Sequence, residues 1–434
     1  MNVYDSVRMG DLLKPHGFEV VQSMEDNKHI DMVIFNTCHI REKASEKVYS
    51  ELDKIKKKKI ISKSNGNEMI IVVAGCTAQA EGEEVFKRAP YVDIVVGPQS
   101  YHNIPVLLES VRREKKWAID LAFNENEKFD LLPTQQYLDS PSAFLSVQEG
   151  CDKFCHFCVV PYTRGGEYSR DIPVIYREAI HLVSIGAKEI TLLGQNVSAY
   201  HGQVDNDNWN LGKLINHLGK IKGLERIRYT TSHPMDMQES GLFEAHRDEE
   251  RLMPFLHLPV QSGSDSMLKS MNRKHDRESY LRVIDKFRQM RPDIAFSSDF
   301  IVGYPGETDK DFASTLDLIE KVGYAQCYSF KYSPRPGTPA SVLEEQVPEH
   351  VKSERLYILQ ELIVKQQMEF NQSMVGKTLP VLLQKDGKKD GQLIGKSPYM
   401  QSVFVDAPKV KDGTIVNVAV THGFQNSLTG YIVD

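Results

Sequence analysis

From Asp5 to about Ser110, short β-branched runs alternate with longer stretches of helical period. The runs Asp31–Thr37, Met69–Gly75 and Asp93–Gly97 read as buried strands of a parallel sheet, and the amphipathic stretches between them as covering helices, which together make an α/β layer. Residues Glu114 to Ser142, with Asn124-Glu125-Asn126-Glu127-Lys128 and Pro133, keep no period and read as a linker. The alternation then resumes, with candidate strands at Ala143–Gln148, Glu189–Leu193, Arg226–Thr230, Pro254–Leu258, Ile294–Phe300 and Gln326–Lys331. Six such βα units predict an open or partial barrel whose strand carboxyl ends line one face. A charged, helix-favouring run from His350 to Asn371 leads into short strands punctuated by Gly and Asp, among them Thr378–Leu383 and Gly413–Val420. That end reads as a small all-β barrel, a class shared by several RNA-binding modules. The expected domains are 1–113, a linker at 114–142, 143–371 and 372–434.

Composition narrows the function classes. With 434 residues, 41% of them apolar and 26% charged, the chain has the make-up of a multidomain globular protein. No apolar run approaches the roughly 20 residues needed to cross a bilayer, and Met1-Asn2-Val3-Tyr4-Asp5 lacks the features of a signal peptide. The expectation is a cytoplasmic protein with no membrane partner. The net charge of −6 argues against indiscriminate nucleic-acid binding while leaving room for a local basic face. The run Lys54-Ile55-Lys56-Lys57-Lys58-Lys59 reads more readily as the solvated end of a helix than as a phosphate site.

Three of the six cysteines fall within Gly150-Cys151-Asp152-Lys153-Phe154-Cys155-His156-Phe157-Cys158. In a reducing compartment such clustering points to metal or redox chemistry rather than disulfides. Three thiolates at this spacing suit a four-iron cluster that lacks a fourth protein ligand. Structural zinc would want a fourth ligand, and His156 lies inside the same tight loop, whereas zinc sites usually draw on separated pairs. Two further cysteines end predicted strands, in Asn36-Thr37-Cys38 and Ala74-Gly75-Cys76. Thiols leaving neighbouring strand ends can converge on one object, although a small buried thiol is the plainer reading of each alone. Cys327, in an apolar strand, reads as packing.

The Cys-x3-Cys-x2-Cys pattern at the end of the first strand of a partial βα barrel resembles the radical S-adenosylmethionine (SAM) superfamily. That resemblance implies that SAM binds the unique iron and is cleaved to a 5′-deoxyadenosyl radical, with Phe157 at the aromatic position near the adenine. Further stretches extend the likeness over nearly the whole chain: Asn36-Thr37-Cys38-His39-Ile40-Arg41-Glu42, Gly75-Cys76-Thr77-Ala78-Gln79, Val159-Val160-Pro161-Tyr162-Thr163-Arg164-Gly165, Leu193-Gly194-Gln195-Asn196-Val197, His257-Leu258-Pro259-Val260-Gln261-Ser262-Gly263-Ser264 and Asp299-Phe300-Ile301-Val302-Gly303-Tyr304-Pro305-Gly306-Glu307-Thr308. Together they resemble the methylthiotransferases, most closely the tRNA branch of MiaB type. The implied fold is α/β: an N-terminal Rossmann-like parallel sheet, a central partial (β/α)6 radical SAM barrel and a C-terminal TRAM-like all-β barrel.

What the family implies is methylthiolation at C2 of N6-isopentenyladenosine on the 3′ side of the anticodon, with two [4Fe-4S] clusters and SAM as cofactors. Cys151, Cys155 and Cys158 would hold the radical cluster, and Cys38 and Cys76 two corners of an auxiliary one. Gln195, Asn196 and Asp299 are candidates for SAM's polar groups, with caps and turns as their plainer roles. Arg164 and Arg170 could meet SAM or tRNA phosphate; Gly303, Pro305 and Gly306 more readily shape a turn. Implied partners are the tRNA anticodon stem-loop, a reducing electron-donor protein and a sulfur source, acting on a monomer. The family's auxiliary cluster takes a third cysteine from a Gly-Cys-Gln-Met-Asn-x-x-Asp-Ser motif, and this chain begins just inside it, at Met1-Asn2-Val3-Tyr4-Asp5-Ser6. The expectation is that the true start lies upstream, and that the chain as written cleaves SAM but is impaired in methylthiolation. Rival readings are the branches acting on threonylcarbamoyl-adenosine or on a ribosomal protein, and, outside enzymes, an RNA-binding cluster protein that senses redox state. The Val-Val-Pro-Tyr-Thr-Arg-Gly and His-Ile-Arg-Glu stretches resemble the isopentenyladenosine branch, and SAM cleavage separates an enzyme from a sensor.

Overall fold

The computed structural model describes residues 1–21, 29–38, 42–123, 132–135, 138–204, 207–407 and 410–433, for 42–45 the backbone only. His39-Ile40-Arg41 and Asn124–Lys128, singled out above, lie outside the described residues. Packing groups the chain into two units, one of residues 1–136, 149–152 and 158–168, the other of 137–148, 153–157 and 169–434.

The first unit holds a four-stranded parallel sheet in the order Met32–Thr37, Ile70–Gly75, Ile94–Val96, Ala118–Asp120. Side chains of a strand alternate between faces. Ile70, Val72 and Ala74 therefore pack with Met9, Leu13, Ile104 and Leu108 on one side. Ile71 and Val73 pack with Leu52, Ile55, Val85 and Phe86 on the other. Helices thus cover both faces, as the unbroken apolar run requires. The fourth strand falls inside the stretch expected to be a linker. Three residues are too few to show a period, and Ala118–Asp120 becomes a strand by pairing with Ile94–Val96. The lysine run lies on the helix Glu42–Ser64, where Lys54 pairs with Glu51 and Lys59 with Asp93, as a solvated helix face does.

The second unit contains six parallel strands in two sets of three. Ser142–Ser146, Glu189–Leu193 and Arg226–Tyr229 form one, and Phe255–His257, Ala295–Val302 and Gln326–Lys331 the other. A parallel bridge from Ile227 to Leu252 links the sets, and Leu145, Leu192, Ile227, Leu256 and Phe300 share one core, so the six strands make the expected partial barrel. Helix Glu349–Gln372 then leads to a closed five-stranded barrel, ordered Thr378–Asp386, Gln392–Lys396, Ser402–Asp406, Ser427–Val433, Ile415–Gly423, around Val381, Leu383, Val403, Val418 and Leu428.

This last barrel is gripped at the amino-terminal edge of the first strand set. Arg226 donates to the carbonyls of Pro380 at 2.7 Å and Lys396 at 2.9 Å, and Arg228 to those of Ser397 and Pro398, both at 2.8 Å. Glu189, paired in register with Arg226, accepts from Arg228 Nε at 2.8 Å and from Ser142 Oγ at 2.9 Å. Both guanidinium groups are buried, and hydrogen bonds to charged groups contribute roughly 1.5–3 kcal/mol each. R228A, which leaves Glu189 with Arg226 at 3.8 Å as its remaining cation, is expected to loosen this docking by about 3 kcal/mol through the two lost charged hydrogen bonds to Ser397 and Pro398. Hydrogen exchange at the 378–398 amides would report it as lost protection; unchanged protection would assign the docking to apolar contacts instead.

Candidate active site

The cysteine loop follows the carboxyl end of the strand Ser142–Ser146, and its residues 149–152 and 158–168 group with the first unit while 153–157 group with the second. In the second unit, the segment is tied down at nearly every residue. Lys153 pairs with Asp236 at 2.6 Å, and the Phe154 carbonyl accepts from Asn272 Nδ2 at 2.9 Å. His156 donates its backbone N–H to Met271 at 3.1 Å, and its Nδ1 lies 2.8 Å from the Ser270 carbonyl, which only a protonated Nδ1 can satisfy. The His156 carbonyl in turn accepts from Ala340 N at 2.9 Å. His156 is therefore a structural anchor of the loop. Phe157 packs on a small cluster of Met267, Met271, Tyr304, Tyr332 and Ala340. Cys155 is buried, and Arg273 Nη1 lies 3.4 Å from its Sγ.

Backbone strain gathers at the same end. Among the described residues seven non-glycine positions have positive φ, and five of these, Phe154, Thr231, Gln261, Asn272 and Lys274, belong to this loop or to segments beyond the strands Arg226–Tyr229 and Phe255–His257. Each such residue costs of order 1–3 kcal/mol and persists only where the surroundings impose it, which is common at functional sites.

The polar candidates divide. Asn196 is buried with both ends of its amide engaged: Nδ2 donates to Asp236 at 2.7 Å and Oδ1 accepts from Ser198 at 2.8 Å. Its backbone N–H donates to Gln148 Oε1 at 3.1 Å, and Gly194 leaves no room for a Cβ because that same oxygen would lie 2.4 Å away. Gln195, beside it, is half-buried. Asp299 lies within the strand Ala295–Val302, two residues from Ser297, and the two share a face that meets His257. His257 Nδ1 is 2.9 Å from Ser297 Oγ, and its Nε2 is 3.7 Å from Asp299 Oδ1. Arg170 is buried, donating to the Ser146 carbonyl and pairing with Glu178 at 2.7 Å, so it braces the barrel. Cys327 sits against the barrel core, and burial pushes its thiol pKa well up, as suits packing.

In the first unit, the loop closes on itself. Gly150 has φ +74°, and a Cβ there would stand 1.7 Å from the Gly166 carbonyl oxygen, so only glycine fits. Cys151 N donates to the Gly165 carbonyl at 3.3 Å, and Cys158 Sγ accepts from Val160 N at 3.5 Å. Thr37 and Gly75 are partners in the sheet, so Cys38 and Cys76 leave adjacent strand ends. A Cβ on Gly75, at φ +89°, would meet the Thr37 carbonyl at 2.7 Å. Cys38 lines a cavity with Phe35, Thr37, Lys47, Val48 and Glu51. Cys76 opens the short helix Cys76–Glu81, which packs against the helix Val160–Arg164 of the cysteine loop. Among the described residues, no three His, Cys, Asp or Glu side chains stand close enough together to hold a metal ion as they are placed.

Arg164 lies among the protein's own carboxylates. Its guanidinium is 3% exposed, pairs with Asp5 at 2.9 Å and with Glu149, and its carbonyl accepts from Gln99 Nε2 at 2.9 Å. Burial opposes its charge, but Asp5, Cys76, Glu149 and Tyr101 outweigh it and push the pKa up. It is a buried counter-ion to Asp5 and Glu149 beside Cys76. Sequence reasoning also passed over Arg273, His233 and His275. The dense Asn272-Arg273-Lys274-His275 run was the one available signal, and nothing in it distinguishes an exposed basic patch from buried groups.

Comparison with known proteins adds the following. Residues 145–319 match the model of the radical SAM superfamily, residues 1–97 that of Uncharacterized protein family UPF0004, and residues 372–433 that of the TRAM domain. The chain is 61% identical over 436 residues to the tRNA-2-methylthio-N(6)-dimethylallyladenosine synthase of Rickettsia bellii (strain RML369-C), covering 100% of this chain and 97% of that protein. It is 62% identical over 435 residues to the enzyme of that name from Wolbachia pipientis subsp. Culex pipiens (strain wPip), covering 99% and 97%. Among solved structures, the radical SAM methyltransferase TsrM from Kitasatospora setae is similar at a TM-score of 0.56 and 12% identity, over 78% of this chain and 74% of that one. The cobalamin-dependent SAM radical enzyme OxsB is similar at 0.52 and 13%, over 83% and 53%. At these identities the two structures speak for the fold alone.

Proposed function

Because the chain belongs to the tRNA-2-methylthio-N(6)-dimethylallyladenosine synthase family of radical SAM enzymes, we propose that it replaces the C2 hydrogen of N6-dimethylallyladenosine, 3′ to the tRNA anticodon, by a methylthio group. The family implies a [4Fe-4S] cluster and SAM. Cys151, Cys155 and Cys158 would hold that cluster, and the residues present suit it: three thiols in one loop whose ends are closed by Gly150 and Gly166, with a buried guanidinium against Cys155. When bound, the cluster supplies the electron that cleaves SAM, which matters because the adenine C2–H is too strong and too weakly acidic for side-chain bases. Cys38 and Cys76 would serve a second, auxiliary cluster.

The chain's own residues do the positioning. Lys153, His156 and Asn272 hold residues 153–156 of the loop in place through Asp236 and the 270–272 turn. Asp299 with His257, and Gln195, remain the candidate contacts for SAM's amino, carboxylate or ribose groups, with Phe157 near its adenine. Asn196 would act by fixing the turn after Glu189–Leu193. The C-terminal barrel, held by Arg226 and Arg228, would bind the anticodon stem-loop. Electrons and sulfur would come from a separate donor protein and sulfur source, and the enzyme would work as a cytoplasmic monomer; no helix among the described residues is long and apolar enough to cross a membrane.

The observation that carries this is the cysteine loop at the carboxyl end of the first of six parallel strands, in a chain with family membership along its length. Mass spectrometry of tRNA nucleosides tests it. Deleting the gene should remove 2-methylthio-N6-dimethylallyladenosine and leave N6-dimethylallyladenosine in its place. An unchanged nucleoside profile would exclude the assignment, and loss of a threonylcarbamoyl derivative would move it to the sister branch.

A further inference from the structure

We propose that Arg273 tunes the cluster held by Cys151, Cys155 and Cys158, its guanidinium donating to Cys155 Sγ and favouring the reduced cluster by raising its reduction potential. This rests on the cluster assignment made above. Arg273 is a positioning and tuning residue, with no contact to substrate claimed.

Three observations meet at this side chain. Arg273 is 5% exposed and is aimed by two bonds, Nη1 to Cys155 Sγ at 3.4 Å and Nη2 to the Pro259 carbonyl. Among the described residues it has no carboxylate partner, and its Nε is buried without an acceptor. The buried arginines Arg164, Arg170, Arg228 and Arg355 each meet at least one carboxylate. A lone buried cation is costly enough that its anion has to be found. The protein groups around it do not provide one: the imidazoles of His233 and His275 feel its field, and burial together with that field lowers both pKa values, that of His275 to about 4. The group its fork does reach is Cys155 Sγ, which is anionic when it ligates the cluster. A four-iron cluster on three thiolates is anionic and gains one more negative charge on reduction. A fixed cation and a hydrogen bond to a ligand sulfur therefore stabilise the reduced state more than the oxidised one.

The test is an anaerobic potentiometric titration of the reconstituted full chain, followed by electron paramagnetic resonance of the reduced cluster with iron content measured alongside. R273M, fully loaded, is expected to show at least a tenfold lower ratio of reduced to oxidised cluster at the wild-type midpoint, a downward shift of about 59 mV for one electron. R273K, which keeps the charge and loses the planar fork, should fall between the two. A loaded R273M with the wild-type midpoint overturns the proposal. If R273M does not hold iron, R273Q is read by the same criterion. Iron retained by R273K and lost from both neutral variants supports the charge requirement, and iron lost from all three overturns it in favour of packing. C155S separates the two levels: it should abolish the SAM-responsive signal, and persistence of that signal would overturn the cluster assignment itself rather than the role of Arg273.

Discussion

C158S is expected to abolish SAM cleavage, with 5′-deoxyadenosine formation under strong reductant falling by at least about a thousandfold, to background. Enzymes supply a millionfold or more over the uncatalysed reaction, and here all of it depends on an electron source that three thiolates must hold. A hydroxyl is a poor ligand for iron, so one substitution leaves two protein ligands where the open position needs three. Cys158 is half-buried and serine is nearly isosteric with it, so the fold should survive. Iron content and the thermal midpoint should therefore part company, the first dropping sharply and the second moving little. Wild-type rates of SAM cleavage in C158S would exclude the loop as the cluster site.

R164M should instead act on stability. It removes a guanidinium that is 3% exposed and leaves Asp5, at 0%, and Glu149, at 2%, as buried carboxylates without their shared partner. Breaking such a group by removing one member costs about 3–5 kcal/mol, because the charges left behind stay desolvated. For a unit of this size that corresponds to roughly a 10 °C fall in the midpoint of the first unit's unfolding. The triple variant D5N/E149Q/R164M should recover part of that loss, since it strands no charge. A midpoint for R164M within about 2 °C of wild type would mean that water reaches the group and screens it.

The two arginines of the cysteine region show where sequence reasoning stops. By sequence, Arg164 and Arg170 could meet SAM or tRNA phosphate, and nothing along the chain chooses between these. Each is buried on the protein's own carboxylates instead, Asp5 and Glu149 for one and Glu178 for the other. Arg273 attracted no notice, yet its guanidinium reaches the Cys155 thiol. Asn196 was a candidate for SAM's polar groups with a turn as its plainer role, and both ends of its amide engage Asp236 and Ser198. The strand Ala118–Asp120 was hidden because its identity depends on a partner strand more than twenty residues away.

By itself, then, the sequence determined what is carried by neighbours along the chain. The spacing of Cys151, Cys155 and Cys158 is covalent, and the six barrel strands announce themselves by their apolar runs. Tertiary structure alone decided what each charge does. The role of a guanidinium depends on which groups share its loss of water, and for Arg164, Arg228 and Arg273 those groups are Asp5 and Glu149, the Ser397 and Pro398 carbonyls, and the Cys155 thiol. Desolvation is a property of the packed surroundings, so no local pattern encodes it.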